Sequence, residues 1–218
     1  MIAKKICSFF TIVAWVAPIW AQTNSTQVLE RFRGKMEESP AAEMHFTLSG
    51  VDANGTSITS FEGVVYRQGA DYAMLNPLLE VYVLGNTKWL YMAEINEAIV
   101  MNHDPTSLDF VENPLALFSA QLSKAYKVSG NPVLLKMGGQ EVTEISLTPT
   151  DKNAPYRFVV LRIKSQTYSP HSIKYDAKDG SWFEAVITNW VPKTSLFPQE
   201  RFTFPQKDHP GVYVTDMR

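Results

Sequence analysis

The chain reads as a mainly β, α+β protein: an incomplete antiparallel β-barrel of about eleven strands, with helices covering its opening as a lid. Three observations predict this. Most of the sequence falls into short runs in which apolar and polar residues alternate. Tight-turn dipeptides separate those runs, Asn54-Gly55 and Asp179-Gly180 above all. Only two or three stretches carry helical spacing, so few helices are left to cover a sheet that long, and such a sheet curls or closes.

The elements follow in order. Residues 25–38 place Val28, Leu29, Phe32 and Met36 at helical spacing, with Glu30, Arg31, Arg33 and Glu37 opposite. Ser25 or Thr26 is the expected cap, and Pro40 ends the run. Period two then sets in, with Met44, Phe46 and Leu48 against His45, Thr47 and Ser49. Asn54-Gly55 turns this strand into Ser57 to Arg67. Tyr72 to Leu75, Val81 to Leu84, Lys88 to Met92 and Ala98 to Met101 read as shorter strands. Asn113-Pro114 opens a second helix, with Leu115, Leu117, Phe118 and Leu122 as its stripe. A shorter helical turn begins at Thr106-Ser107. Strands resume at Tyr126 to Ser129, Val133 to Met137, Val142 to Thr148, Arg157 to Ile163, Ser172 to Tyr175 and Ser181 to Val191. Phe202, Phe204 and Val212 to Val214 end the series as further strand-like residues.

The first residues read as an export signal. Lys4 and Lys5 precede a largely apolar stretch from Ile6 to Ala17, too short to span a bilayer, and Ala21 is a small residue suited to cleavage. Residues 1–21 are therefore expected to be removed, leaving residues 22–218 as one domain. Cleavage takes the basic count from 20 to 18 against 22 acidic residues. It also removes Cys7, the single cysteine. Without a thiol, disulfides, thiol nucleophiles and zinc–thiolate sites are excluded.

Little else commends an enzyme. The four histidines, His45, His103, His171 and His209, show no metal-ligand spacing. There is no nucleophile elbow and no glycine-rich phosphate loop. Glu94 and Glu97, and Asp176 and Asp179, flank turns where solvated acids are expected. No metal and no cofactor is implied. The formal charge of -2 offers no field for nucleic acid.

The chain does supply apolar and aromatic surface. In Val81 to Leu84 and Lys88 to Met92 nearly every position is apolar or aromatic. Strands with one wet face alternate more cleanly. Such strands either sit between two packed layers or line a ligand cavity, and the pattern leaves both open.

The ending Arg201-Phe202-Thr203-Phe204-Pro205, with Pro210-Gly211-Val212-Tyr213-Val214-Thr215-Asp216-Met217-Arg218, resembles the F-x-F and P-x-G-V-x-V-x-D-x-R tail of the outer-membrane lipoprotein carrier family, the LolA-like proteins. Phe61-Glu62-Gly63 with Arg67 resembles that family's F-x-G segment leading to R-P, and Asn86 to Tyr91 resembles its D-G-x-x-L-W-x-Y strand. Asn113-Pro114-Leu115 opens a helix where the family has one. The match covers nearly the whole exported chain in order. It departs where R-P becomes Arg67-Gln68 and where Asp-Gly becomes Gly85-Asn86, as in a divergent branch.

The resemblance implies a monomeric periplasmic carrier that holds the acyl chains of lipoproteins and catalyses nothing. Its implied partners are acylated lipoproteins as cargo, a lipoprotein-releasing transporter in the inner membrane and an acceptor at the outer membrane. The cavity wall would draw on Phe46, Leu48, Phe61, Val65, Tyr72, Trp89, Tyr91, Trp182, Val186 and Trp190, with Leu115, Phe118 and Leu122 on the lid. Arg67 matches the arginine that holds the lid closed. Two other readings stay open: a carrier of another envelope lipid or glycolipid, and an envelope scaffold or sensor with a filled core.

Overall fold

The computed structural model describes residues 24–105 and 125–218. The expected leader and the expected second helix lie outside these residues. The described part contains one α-helix, α1 (Ser25–Glu37), and twelve strands in a single sheet.

The strands are β1 (Ala41–Val51), β2 (Ser57–Gln68), β3 (Asp71–Leu75), β4 (Glu80–Leu84), β5 (Thr87–Met92), β6 (Glu97–Asn102), β7 (Tyr126–Met137), β8 (Gln140–Pro149), β9 (Tyr156–Lys164), β10 (Pro170–Ala177), β11 (Trp182–Lys193) and β12 (Tyr213–Asp216). Their order across the sheet is β12-β6-β5-β4-β3-β2-β1-β11-β10-β9-β8-β7. Two meanders, β1 to β6 and β7 to β11, are thus joined along β1 and β11. All pairings are antiparallel except that of β12 with β6. The sheet is open, with β7 at one edge and β12 at the other, as expected of an incomplete barrel.

α1 buries Val28, Leu29, Phe32 and Met36 against the sheet. Phe32 is fully buried and Met36 is 1% exposed. Each such side chain contributes about 1.5–3 kcal/mol by leaving water. The cap is Asn24 rather than Ser25 or Thr26: its Oδ1 accepts from the Gln27 amide at 2.8 Å. The Ser25 hydroxyl instead donates to the Gly130 carbonyl of β7 at 3.0 Å. This bond ties the start of the helix to the sheet edge.

Two other segments differ from the pattern. Residues 126–137 form one strand, not two, with its register broken between Ser129 and Val133. Pro132 there has no amide to donate, and Gly130 takes a φ of 72°. Phe202 and Phe204 are not in a strand. Residues Gln199–Phe202 form a 3-10 turn, because Pro198 and Pro205 flank the segment and cannot donate to a ladder.

Candidate functional site

Directly opposed residues in an antiparallel pair share a face, so the register sorts the expected wall residues. Leu48 stands opposite Phe61 and Ala185, Phe46 opposite Gly63 and Ile187, and Met44 opposite Val65 and Trp190. Across β2 and β3, Val65 meets Met74 and Arg67 meets Tyr72. Phe46, Leu48, Phe61, Val65, Tyr72, Trp190 and Arg67 therefore share the face beneath α1. The core there includes Phe32, Met36, Met44, Ile145, Leu161 and Tyr175.

Trp89, Tyr91, Trp182 and Val186 lie on the other face, so they are not part of that wall. Trp89 stands opposite Tyr82 and Val100. It packs in a second cluster that the C-terminal segment closes. The Phe204 ring lies 5.4 Å from Trp89, 5.2 Å from Tyr91 and 6.0 Å from Tyr82. Trp182 sits opposite Asp176, with the Lys174 ammonium 4.4 Å from its ring centroid. Val186 stands opposite Thr47 and Ser172. The physical reason is the two-residue period: β5 and β11 are apolar on both faces, and their partners alone decide which face turns toward the helix. Leu115, Phe118 and Leu122 lie outside the described residues.

Side chains of α1 fill the inner face over Met44, Val65 and Tyr72. Beyond the helix, toward the β1–β2 turn, a cavity of about 300 Å³ remains. Phe46 and Leu48 of β1, Thr59 and Phe61 of β2, and Met74 of β3 form one part of its wall. Asn76, Leu78 and Leu79 of the following loop form another, and Tyr156 and Phe183 close the far side. None of these ten residues is charged.

Local sequence explains the shape. The Asn76 Oδ1 accepts from the amides of Leu78 and Leu79, each at 3.0 Å, which fixes the loop. Leu78 remains 56% exposed at the cavity mouth. On the floor, two aromatic rings lie over glycines. A Cβ at Gly63 would overlap the Phe46 ring, and one at Gly50 would come within 2.7 Å of the Phe183 ring. Of the expected wall, Phe46, Leu48 and Phe61 line this cavity, whereas Val65 and Tyr72 are packed under the helix. Met74, Leu79, Tyr156 and Phe183 were not anticipated. The signal for Phe183 was Gly50, a strand glycine that leaves room for a ring opposite.

Arg67 lies at the other end of the inner face. Its Nη2 donates to the carbonyls of Met36 at 2.8 Å and Ser39 at 3.2 Å. The Met36 carbonyl is among those that a helix leaves unpaired at its C-terminus, where a cation is favoured, and Ser39 follows the cap. Burial pushes the guanidinium pKa below its ordinary value, and the nearby Glu37 carboxylate works against that shift. The Nε is buried without an acceptor. The arginine thus joins β2 to the end of α1 with one of its donors unmet. Among the described residues no three His, Cys, Asp or Glu side chains gather as a metal ion would need.

No family model matches the chain, and no curated protein matches it. Solved structures do. An uncharacterized conserved protein from Thermus thermophilus aligns over 88% of this chain and 98% of its own, at a TM-score of 0.56 and 10% identity. A LolA superfamily protein from Nitrosomonas europaea aligns over 84% of this chain and 99% of its own, at 0.45 and 11%. The Mycobacterium tuberculosis lipoprotein LppX aligns over 79% and 100%, at 0.43 and 11%. At these identities the likeness is one of fold.

Proposed function

We propose that the protein is an exported, non-catalytic carrier that shelters acyl chains of lipoproteins during their passage through the periplasm. The observation that carries this reading is the uncharged, apolar cavity enclosed by β1, β2, the loop after β3 and Phe183. The ordered resemblance of its motifs to those of lipoprotein carriers, most specific at Phe202 to Arg218, supports it.

The physics favours such a device. Each buried methylene contributes about 0.8 kcal/mol, so an acyl chain does not cross water unaided. A carrier has to cover the chain and still release it. On this reading α1 covers the inner face beside the cavity, and its release, with Arg67 as latch, would widen the space open to a chain. The unmet Nε keeps the closed state from being too stable, since a buried unpaired donor costs about 1–3 kcal/mol. A transporter at the inner membrane would load the carrier, and an acceptor at the outer membrane would unload it.

Gentle purification from periplasm tests the proposal. The protein is expected to leave with acylated material that mass spectrometry identifies, and to accept a lipoprotein released from inner-membrane vesicles. A protein that is purified without any acyl lipid and gains none in the release assay would be no carrier.

A further inference from the structure

We propose that Tyr168 is a strained catch for α1: its left-handed backbone is held only while its side chain holds Arg31, so that the helix and the β9–β10 turn let go together. This rests on the reading of α1 as a releasable cover and adds a positioning residue that acts on it through Arg31.

Tyr168 closes the turn between β9 and β10 with a φ of 55°. Its amide donates to the Lys164 carbonyl at 2.9 Å, and the Lys164 amide donates to the Ser169 carbonyl at 2.9 Å. Turns that need a left-handed residue normally use glycine or asparagine, because a Cβ there crowds the following carbonyl. This chain does so elsewhere. The positive φ falls on Gly55 in the β1–β2 turn, on Gly85 in the β4–β5 turn, on Gly180 in the β10–β11 turn and on Asn96 in the β5–β6 turn. For a bulky aromatic residue the same backbone is disfavoured about tenfold. Such a conformation persists only where its surroundings impose it.

What imposes it is α1. The Arg31 Nη1 donates to the Tyr168 hydroxyl at 2.7 Å, and the guanidinium carbon lies 5.4 Å from the ring centroid. The ring also packs at the border of the core cluster beneath the helix. Glycine would suit the turn and reach nothing; tyrosine bears the strain and reaches the helix. Arg31 lies between Ser25 and Met36, so α1 is tied in succession to β7, to the β9–β10 turn and to β2. The middle tie alone of these three closes on a side chain whose backbone is strained. Once Arg31 leaves, nothing in the pair keeps Tyr168 left-handed, and relaxation of the turn favours the released helix.

Residue-resolved hydrogen exchange of the exported protein, without lipid, tests this. Arg31→Met keeps the apolar stem and removes the guanidinium, and Tyr168→Phe keeps the ring and removes the acceptor. Each is expected to speed exchange of the α1 amides about fivefold, as for one exposed charge-assisted bond, and the double variant no further. In Arg31→Met the Lys164 and Tyr168 amides should quicken by the same factor, although neither bonds to Arg31. The amides of β8 and β11 should keep their rates. Tyr168→Gly and Tyr168→Ala both lose the ring and differ in the left-handed strain. The glycine variant is expected to have a folding equilibrium constant at least about threefold larger, read by urea denaturation.

Additive effects in the double variant, turn amides that ignore Arg31→Met, or an alanine variant as stable as the glycine one would overturn the inference. The carrier reading would stand in each case, since it is decided by what the protein binds and no lipid enters these measurements.

Discussion

Arg67 is where residue chemistry bears on the proposed lid. It spans from β2 to the carbonyls of Met36 and Ser39. Arg67→Leu removes both bonds and keeps an apolar stem in the same space. The amides of α1 are expected to exchange at least tenfold faster, equivalent to about 1.4 kcal/mol, while those of β8 to β10 keep their rate. Hydrogen exchange by mass spectrometry reads this. Uniformly faster exchange would mean that the arginine supports the whole fold and latches nothing. A second residue gives a pH signature. Burial lowers the pKa of His171, Lys164 and Arg162 add to the shift, and Glu184 opposes it. The unfolded chain, with its histidine near 6.5, therefore binds the proton before the folded one does. Stability is highest above that value and declines as pH falls through it toward the lower folded pKa. His171→Gln should flatten urea-denaturation midpoints between about pH 7 and pH 5. A slope unchanged by the substitution would assign the acid sensitivity elsewhere. Only the resemblance to the carrier family singled out Arg67, and His171 is one of four histidines without a pattern.

At the scale of elements, the two faces of the sheet do different work. α1 and the inner face form one cluster, and the C-terminal segment with β3 to β6 forms the other. Phe32→Ala, in the first, should destabilise by about 3–5 kcal/mol, read by chemical denaturation. Phe204→Ala, in the second, should destabilise comparably yet leave acyl-chain affinity per folded molecule unchanged. Lost affinity in the Phe204 variant would place the C-terminal cluster in the binding site after all. This division is what alternation could not settle. The strands, the hairpin turns and α1 were legible because apolar period and turn dipeptides are local. Trp89 and Tyr91 have the composition of a cavity wall, but their face depends on pairing with β4 and β6, which is not local. The tail motif is similar: its residues suggested a lineage, whereas its role, a cover over Tyr82, Trp89 and Tyr91, required the folded chain.

In the molecule as a whole, a helix is fastened at both ends to an open twelve-stranded sheet. Ser25 ties the start of α1 to β7, and Arg67 ties its end to β2. The cavity occupies the part of the inner face that the helix leaves uncovered. The sequence pointed to apolar wall material but not to its amount, because volume depends on how Phe46 and Phe183 settle over glycines. On the proposed function, this cavity is where an acyl chain lies. Photo-crosslinking tests it most directly, using a lipopeptide with a diazirine at the end of one chain and peptide mapping of the adducts. Labels are expected on Phe46, Leu48, Phe61, Met74 or Phe183. Labels confined to the opposite face, around Trp89, Trp182 or Phe204, would contradict it.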